Sequence, residues 1–148
     1  MDTSLFDKVA SALRQNRDRY VDRSMETADE IARAGRGVAF SREELNQMID
    51  GAINAVLEAA EGKSSDVRKF YCETLIPAVV EQGAPLTVAA GATGEVHMLM
   101  AADLVQRLPD HADEILKFYT LFVREFIIDI IDAGFTAEIA RRAKTTAK

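Results

Sequence analysis

The chain has 148 residues, a formal net charge of −6, 48% apolar residues, 3 prolines and no tryptophan. That length fits one domain with a sizeable core, and the apolar content excludes extensive disorder away from the ends. The acidic balance argues against a general nucleic-acid binder, which neutralises phosphates with a basic surface.

The first segment, about 4–34, places Leu5, Val9 and Leu13 at helical spacing, and Tyr20, Met25, Ala28, Ile31 and Ala32 continue the stripe. Its charged middle, RQNRDRYVDR, is expected to hold a bend, and Gly35 and Gly37 stop the helix. SREE then opens a second helix, because Ser41 and Glu44 stand at the spacing of a capping box. Leu45, Met48, Ile49, Ala52, Ile53, Val56 and Leu57 form its apolar face, and Gly62 ends it. Ser64 or Ser65 caps a third helix with Asp66 at its positive end. Pro77 lies inside that helix, where a missing N–H kinks it or ends it early, and Gly83 closes it. A fourth helix runs from about Pro85 to Arg107 and a fifth from about Asp110 to Ala133, with Gly134 as its stop. Thr136 is expected to cap a last short helix whose end, about 144–148, frays.

Within the fourth helix, AAGATGEVHMLMAADL sets two glycines three apart beside one histidine. At about 100° per residue, Asp103, Gln106 and Arg107 share the side of Glu95. His97 falls opposite, with Ala90, Thr93, Gly94, Ala101 and Leu104; Val88, Ala92 and Leu99 fall on the more polar side. Each glycine costs about 1 kcal/mol against alanine in a helix, which suggests a gain elsewhere. Close helix crossing is the first reading and a ligand surface the second, with the bistable point where the Gly91 and Gly94 face meets the Pro77 kink. A phosphate loop is disfavoured, since GATG follows no strand and precedes no P-loop lysine. The polar face of the fifth helix holds Glu114, Lys117, Arg124, Glu125 and Asp132, yet Leu121 and Ile128 sit on it seven apart. Framed by charge, they look like a seam between subunits, and Leu99 is a further candidate for that interface. Ile115, Phe118, Phe122, Phe126 and Ile130 supply the core face.

The order of elements carries a resemblance. YCETLIPAVVEQGAPLTVAAGATGEVHMLM followed by FYTLFVREFIIDIIDAGF, about residues 70–134, resembles the N-terminal sensor domains of bacterial stressosome proteins, which look like globins without haem. The shared pattern is a helix ending in glycine, a proline-leucine start and two long antiparallel helices, with no catalytic motif. The resemblance implies a single globin-like domain over 1–148, a homodimer through the last two long helices, and a regulatory role with a protein partner in a signalling pathway. The output domain usual in that family is not among these residues, and the resemblance then implies either a stand-alone partner-binding protein or one sensor module.

Chemistry is sparse. His97 and His111 stand in different segments and make no metal-ligand spacing, no nucleophile elbow is present, and no enzyme is expected. His97 reads as a core histidine with one satisfied hydrogen bond, and as a haem ligand in the alternative. Tyr71 and Cys72 are the other positions able to meet iron or, for Cys72, a bilin; Arg68 and Lys69 stand near enough to lower the thiol's pKa. The single cysteine cannot close an internal disulfide and points to a reducing compartment. The N-terminus lacks the apolar core of a secretion signal, and Asp129 and Asp132 break the longest apolar run below the roughly 18–20 residues of a membrane span. The expectation is an all-α, globin-like cytoplasmic bundle of five main helices and a short tail. Its candidate ligand site is Gly91, Gly94, His97, Tyr71 and Cys72, for a small apolar molecule.

Overall fold

The computed structural model describes residues 1–35, 40–83 and 86–147, excepting the side chains of 86–89. Gly37, Pro85 and the side chain of Val88, on which expectations fell, lie outside those residues. All regular structure among the described residues is helical. The first segment divides into α1 (Thr3–Gln15) and α2 (Arg17–Arg33). The bend sits at Asn16, whose side-chain amide donates to the Ala12 carbonyl at 2.8 Å. Next comes α3 (Arg42–Ala60), opened by the expected capping box: the Glu44 N–H donates to Ser41 Oγ at 3.1 Å, and the Ser41 N–H donates to Glu44 Oε2 at 2.7 Å.

Ser65 caps α4 (Asp66–Phe70) by accepting from the Arg68 N–H at 3.0 Å. A π-helical turn, Tyr71–Leu75, leads without a break into α5 (Ile76–Glu81). Pro77 therefore does not end this segment, and the irregularity falls in the turn just before it. One residue is accommodated as a wider turn, in which the Ile76 N–H reaches back to the Tyr71 carbonyl. Gly35, Gly62 and Gly83 terminate their helices at φ of 67°, 73° and 86°, where a side chain would be strained.

The long hairpin is α6 (Leu86–Arg107), a 3₁₀ turn (Pro109–His111) and α7 (Ala112–Thr146). Here the structure corrects the sequence reading twice. Gly134 does not stop the helix: it is buried inside α7 with a helical backbone. Thr136 caps nothing, because its hydroxyl donates to the Asp132 carbonyl one turn back at 3.0 Å. A glycine closes a helix in this way by adopting a left-handed conformation, and Gly134 does not adopt one.

The core joins Leu5, Val9 and Leu13 of α1 to Ile49, Ile53 and Val56 of α3, Met100 and Leu104 of α6, and Ile115, Phe122, Phe126 and Ile130 of α7. The polar edge of α6 packs against α2. Arg107 donates to Asn16 Oδ1 at 2.6 Å, the Tyr20 hydroxyl donates to Asp103 Oδ2 at 3.0 Å, and the Thr27 hydroxyl meets Glu95 Oε1 at 3.3 Å. Residue numbers rise on α2 as they fall on α6, so the two helices run antiparallel along a polar seam. Asp103 is only 4% exposed there and also binds the Arg19 guanidinium. Burial, then the Asp103 carboxylate, hold the Tyr20 phenol above its usual pKa.

Candidate functional site

A cavity of about 130 Å³ lies between α2, α3, the α4–α5 segment and α6. It is an apolar space: Ile49, Ala52, Leu75, Ile76, Val96 and Phe126 wall it. Polar groups gather where its lining reaches the surface, at Arg23 and the Thr27–Glu95 pair. Small side chains explain why the space exists. Ala52 and Ala55 on α3 and Ala92 on α6 leave volume that larger residues would fill.

His97 lines the buried side of this cavity and is 1% exposed. Its ring stands edge-on to Phe122 at 4.9 Å and to Phe126 at 5.8 Å, with Tyr119 at 6.5 Å. The expected single hydrogen bond is missing: neither Nδ1 nor Nε2 has a partner. The aromatic stripe of α7 fills the volume where a carbonyl or hydroxyl acceptor would stand, and the nearby Tyr119 hydroxyl is itself buried without a partner. Desolvation lowers the His97 pKa from 6.5 to about 4, so the imidazole is neutral at physiological pH.

The other sequence candidates part company. Tyr71 joins the cavity wall, edge-on to Phe126 at 5.6 Å, and burial pushes its phenol up to about 12. Cys72, next in the chain, is half-buried and lies outside the lining. Burial raises its pKa and the Asp129 carboxylate adds to that; Arg68 acts the other way and does not prevail. The expectation of a thiol activated by Arg68 is thereby corrected: Arg68 spends its charge on Asp129, to which its Nε donates at 2.8 Å.

The glycines are also redefined. A Cβ on Gly91 would meet nothing within 4 Å, and one on Gly94 would meet Ile127 Cδ1 at 3.7 Å, an ordinary contact. The close helix crossing is not there, and Gly91 does not meet Pro77. Neither glycine lines the cavity; Ala92 and Thr93 between them do. Leu99, a candidate for a subunit interface, is partly buried and lines the cavity as well. Leu121 and Ile128 stand 52% and 57% exposed on α7.

The α2 and α3 contributions were invisible in the sequence, because no spacing relates Thr27, Ala52 and His97. The available signal was the run of alanines on two separate helices. Among the described residues no group of three His, Cys, Asp or Glu is placed to hold a metal ion, and no helix is long and apolar enough to cross a membrane. No family model, curated protein or solved structure matches this chain.

Proposed function

We propose that this chain is a non-enzymatic regulatory module that takes a small apolar molecule into the cavity beside His97 and pairs with a second copy through α7. The carrying observation is the cavity itself. Helical cores close-pack, and a void of about 130 Å³ lined by alanines and aliphatic side chains forgoes dispersion contacts that larger residues would restore. Its volume suits a benzene-sized ligand, since an engineered cavity of about 150 Å³ binds benzene. Haem does not fit as well. Sites for larger ligands run to about 300–1,000 Å³, and His97 would have to leave its aromatic cage to reach iron. The raised thiol pKa of Cys72 likewise disfavours covalent bilin attachment there.

A ligand transmits a signal only by preferring one of two arrangements of the protein. The cavity touches the π-helical turn through Tyr71 and Leu75, so filling it acts on the least regular helical segment of the bundle. A bacterial signalling partner and a cytoplasmic setting follow from the stressosome-type resemblance and the lone thiol, and belong to the same proposal.

The test is thermal unfolding with benzene, toluene and short alkanes. A concentration-dependent rise in Tm is expected, reaching about 2.7 kcal/mol of stabilisation at a hundredfold excess over Kd. Ala52→Leu, which fills the space, should abolish the rise. A wild-type protein indifferent to every such ligand would remove the ligand half of the proposal and leave a dimeric adaptor.

A further inference from the structure

The two edges of the exposed α7 face carry opposite charge, and that decides how two copies fit together. Leu121, Ile128, Phe135 and Ile139 are 52%, 57%, 60% and 69% exposed. At about 100° per residue they form one stripe, opposite the buried Tyr119, Phe126 and Ile130. Three of them are seven apart, and from Leu121 to Ile139 the stripe spans about 27 Å. Isolated exposed leucines are ordinary; a continuous row on one helix is a contact surface.

The same rotation puts Lys117, Arg124 and Arg142 along one edge of the stripe, with Asp113 and Glu138 farther round behind them, and Glu114, Glu125 and Asp132 along the other. Arg142 is already held by Glu138 at 2.8 Å, and Glu125 has only a 3.9 Å contact with Arg68. Among the described residues Lys117, Arg124 and Asp132 have no ion-pair partner.

We infer that α7 pairs with a second copy of this chain in parallel, both helices running in the same direction. This rests on the dimer reading above and adds its geometry. A twofold axis along the helices turns each edge toward the opposite edge of the other copy. Arg124 then faces Glu125 of the second copy, one residue or about 1.5 Å apart in height, and symmetry repeats the contact. A twofold axis across the helices instead sets each edge against its own kind, acid on acid and base on base. Like-charge juxtaposition of that sort rejects a pairing even where the apolar contacts are equal.

The test uses the whole chain with Cys72→Ser. Sedimentation first gives the oligomeric state; a monomer at tens of micromolar overturns the dimer and the orientation together. Given a dimer, Leu121→Cys alone should oxidise to a covalent homodimer, and Phe135→Cys alone should do the same. An antiparallel pair would cross-link only when the two variants are mixed, which overturns the orientation while leaving the dimer. Charge reversal gives a second reading on surface positions that leave the fold intact. Arg124→Glu should raise the dimer Kd about five- to tenfold, and adding Glu125→Arg should restore it. Tighter association of Arg124→Glu would indicate the antiparallel pair.

Discussion

Asp103 and His97 are buried polar residues on the same helix, less than two turns apart, and they are treated in opposite ways. Asp103 is surrounded by donors: Tyr20, Arg19 and, at 3.7 Å, Arg107. His97 has none. Around Asp103 the side of α6 toward α2 is thus a fixed polar clamp, whereas one to two turns earlier His97 stands between the aromatic surface of α7 and an unfilled space. A clamp with directional bonds tolerates little movement; an apolar contact slides and refills. The contrast separates the part of the bundle that sets register from the part able to respond.

Three perturbations break or sharpen that contrast. The largest effect is expected for Asp103→Ala. It strands the Tyr20 hydroxyl in the core and removes its charge-assisted bond, costing up to about 3 kcal/mol, while the half-exposed Arg19 and Arg107 turn to water. Urea denaturation should show it, and Arg19→Ala should cost much less, because that side chain is 58% exposed. A loss under 1 kcal/mol for Asp103→Ala would show that the clamp sets nothing.

His97 provides the next effect, through pH. The folded protein holds its imidazole near 4, below the 6.5 of the unfolded chain. Between those values the unfolded state binds a proton that the folded state refuses. Stability is therefore full above pH 6.5, falls as pH drops toward 4 and levels off below, a total of about 3 kcal/mol. His97→Phe should erase this contribution and leave the neutral-pH protein at least as stable, since an orphaned polar ring is replaced by an apolar one of similar shape. Parallel stability–pH curves for the two proteins would contradict the neutral, unbonded assignment.

The smallest effect concerns the glycines. With open space at Gly91 and ordinary contact at Gly94, alanine at either position should stabilise the protein by up to about 1 kcal/mol through helix propensity. Destabilisation of similar size would restore the close-crossing interpretation.

Much of the fold was legible because local rules governed it: the Ser41–Glu44 box, the Ser65 cap and the three left-handed glycines are decided within a few residues of chain. Long-range packing overrode the rest. Helical rotation turned His97 inward and set Asp103 on the polar side, but nothing local announces that α2 will lie along that edge and bury it. Gly134 likewise departs from its local signal, standing buried inside a continuous α7. Of the candidate site, His97 and Tyr71 were within reach as inward-facing residues. The cavity was not, since a void is a property of several helices and of no single one.

The uninterrupted run of α7 through Gly134 has a mechanical meaning. Its 35 residues make a rod about 52 Å long, with Phe122 and Phe126 against the cavity region and Thr146 at the far end. Had Gly134 broken it, a small tilt at the aromatic cage would be absorbed at the joint. As one lever, the 20 to 24 residues from the cage to Thr146 span about 30–36 Å, and a tilt of about 5° carries the far tip through about 3 Å. That is about half a helical pitch of travel, delivered at the end of the helix rather than lost at a joint.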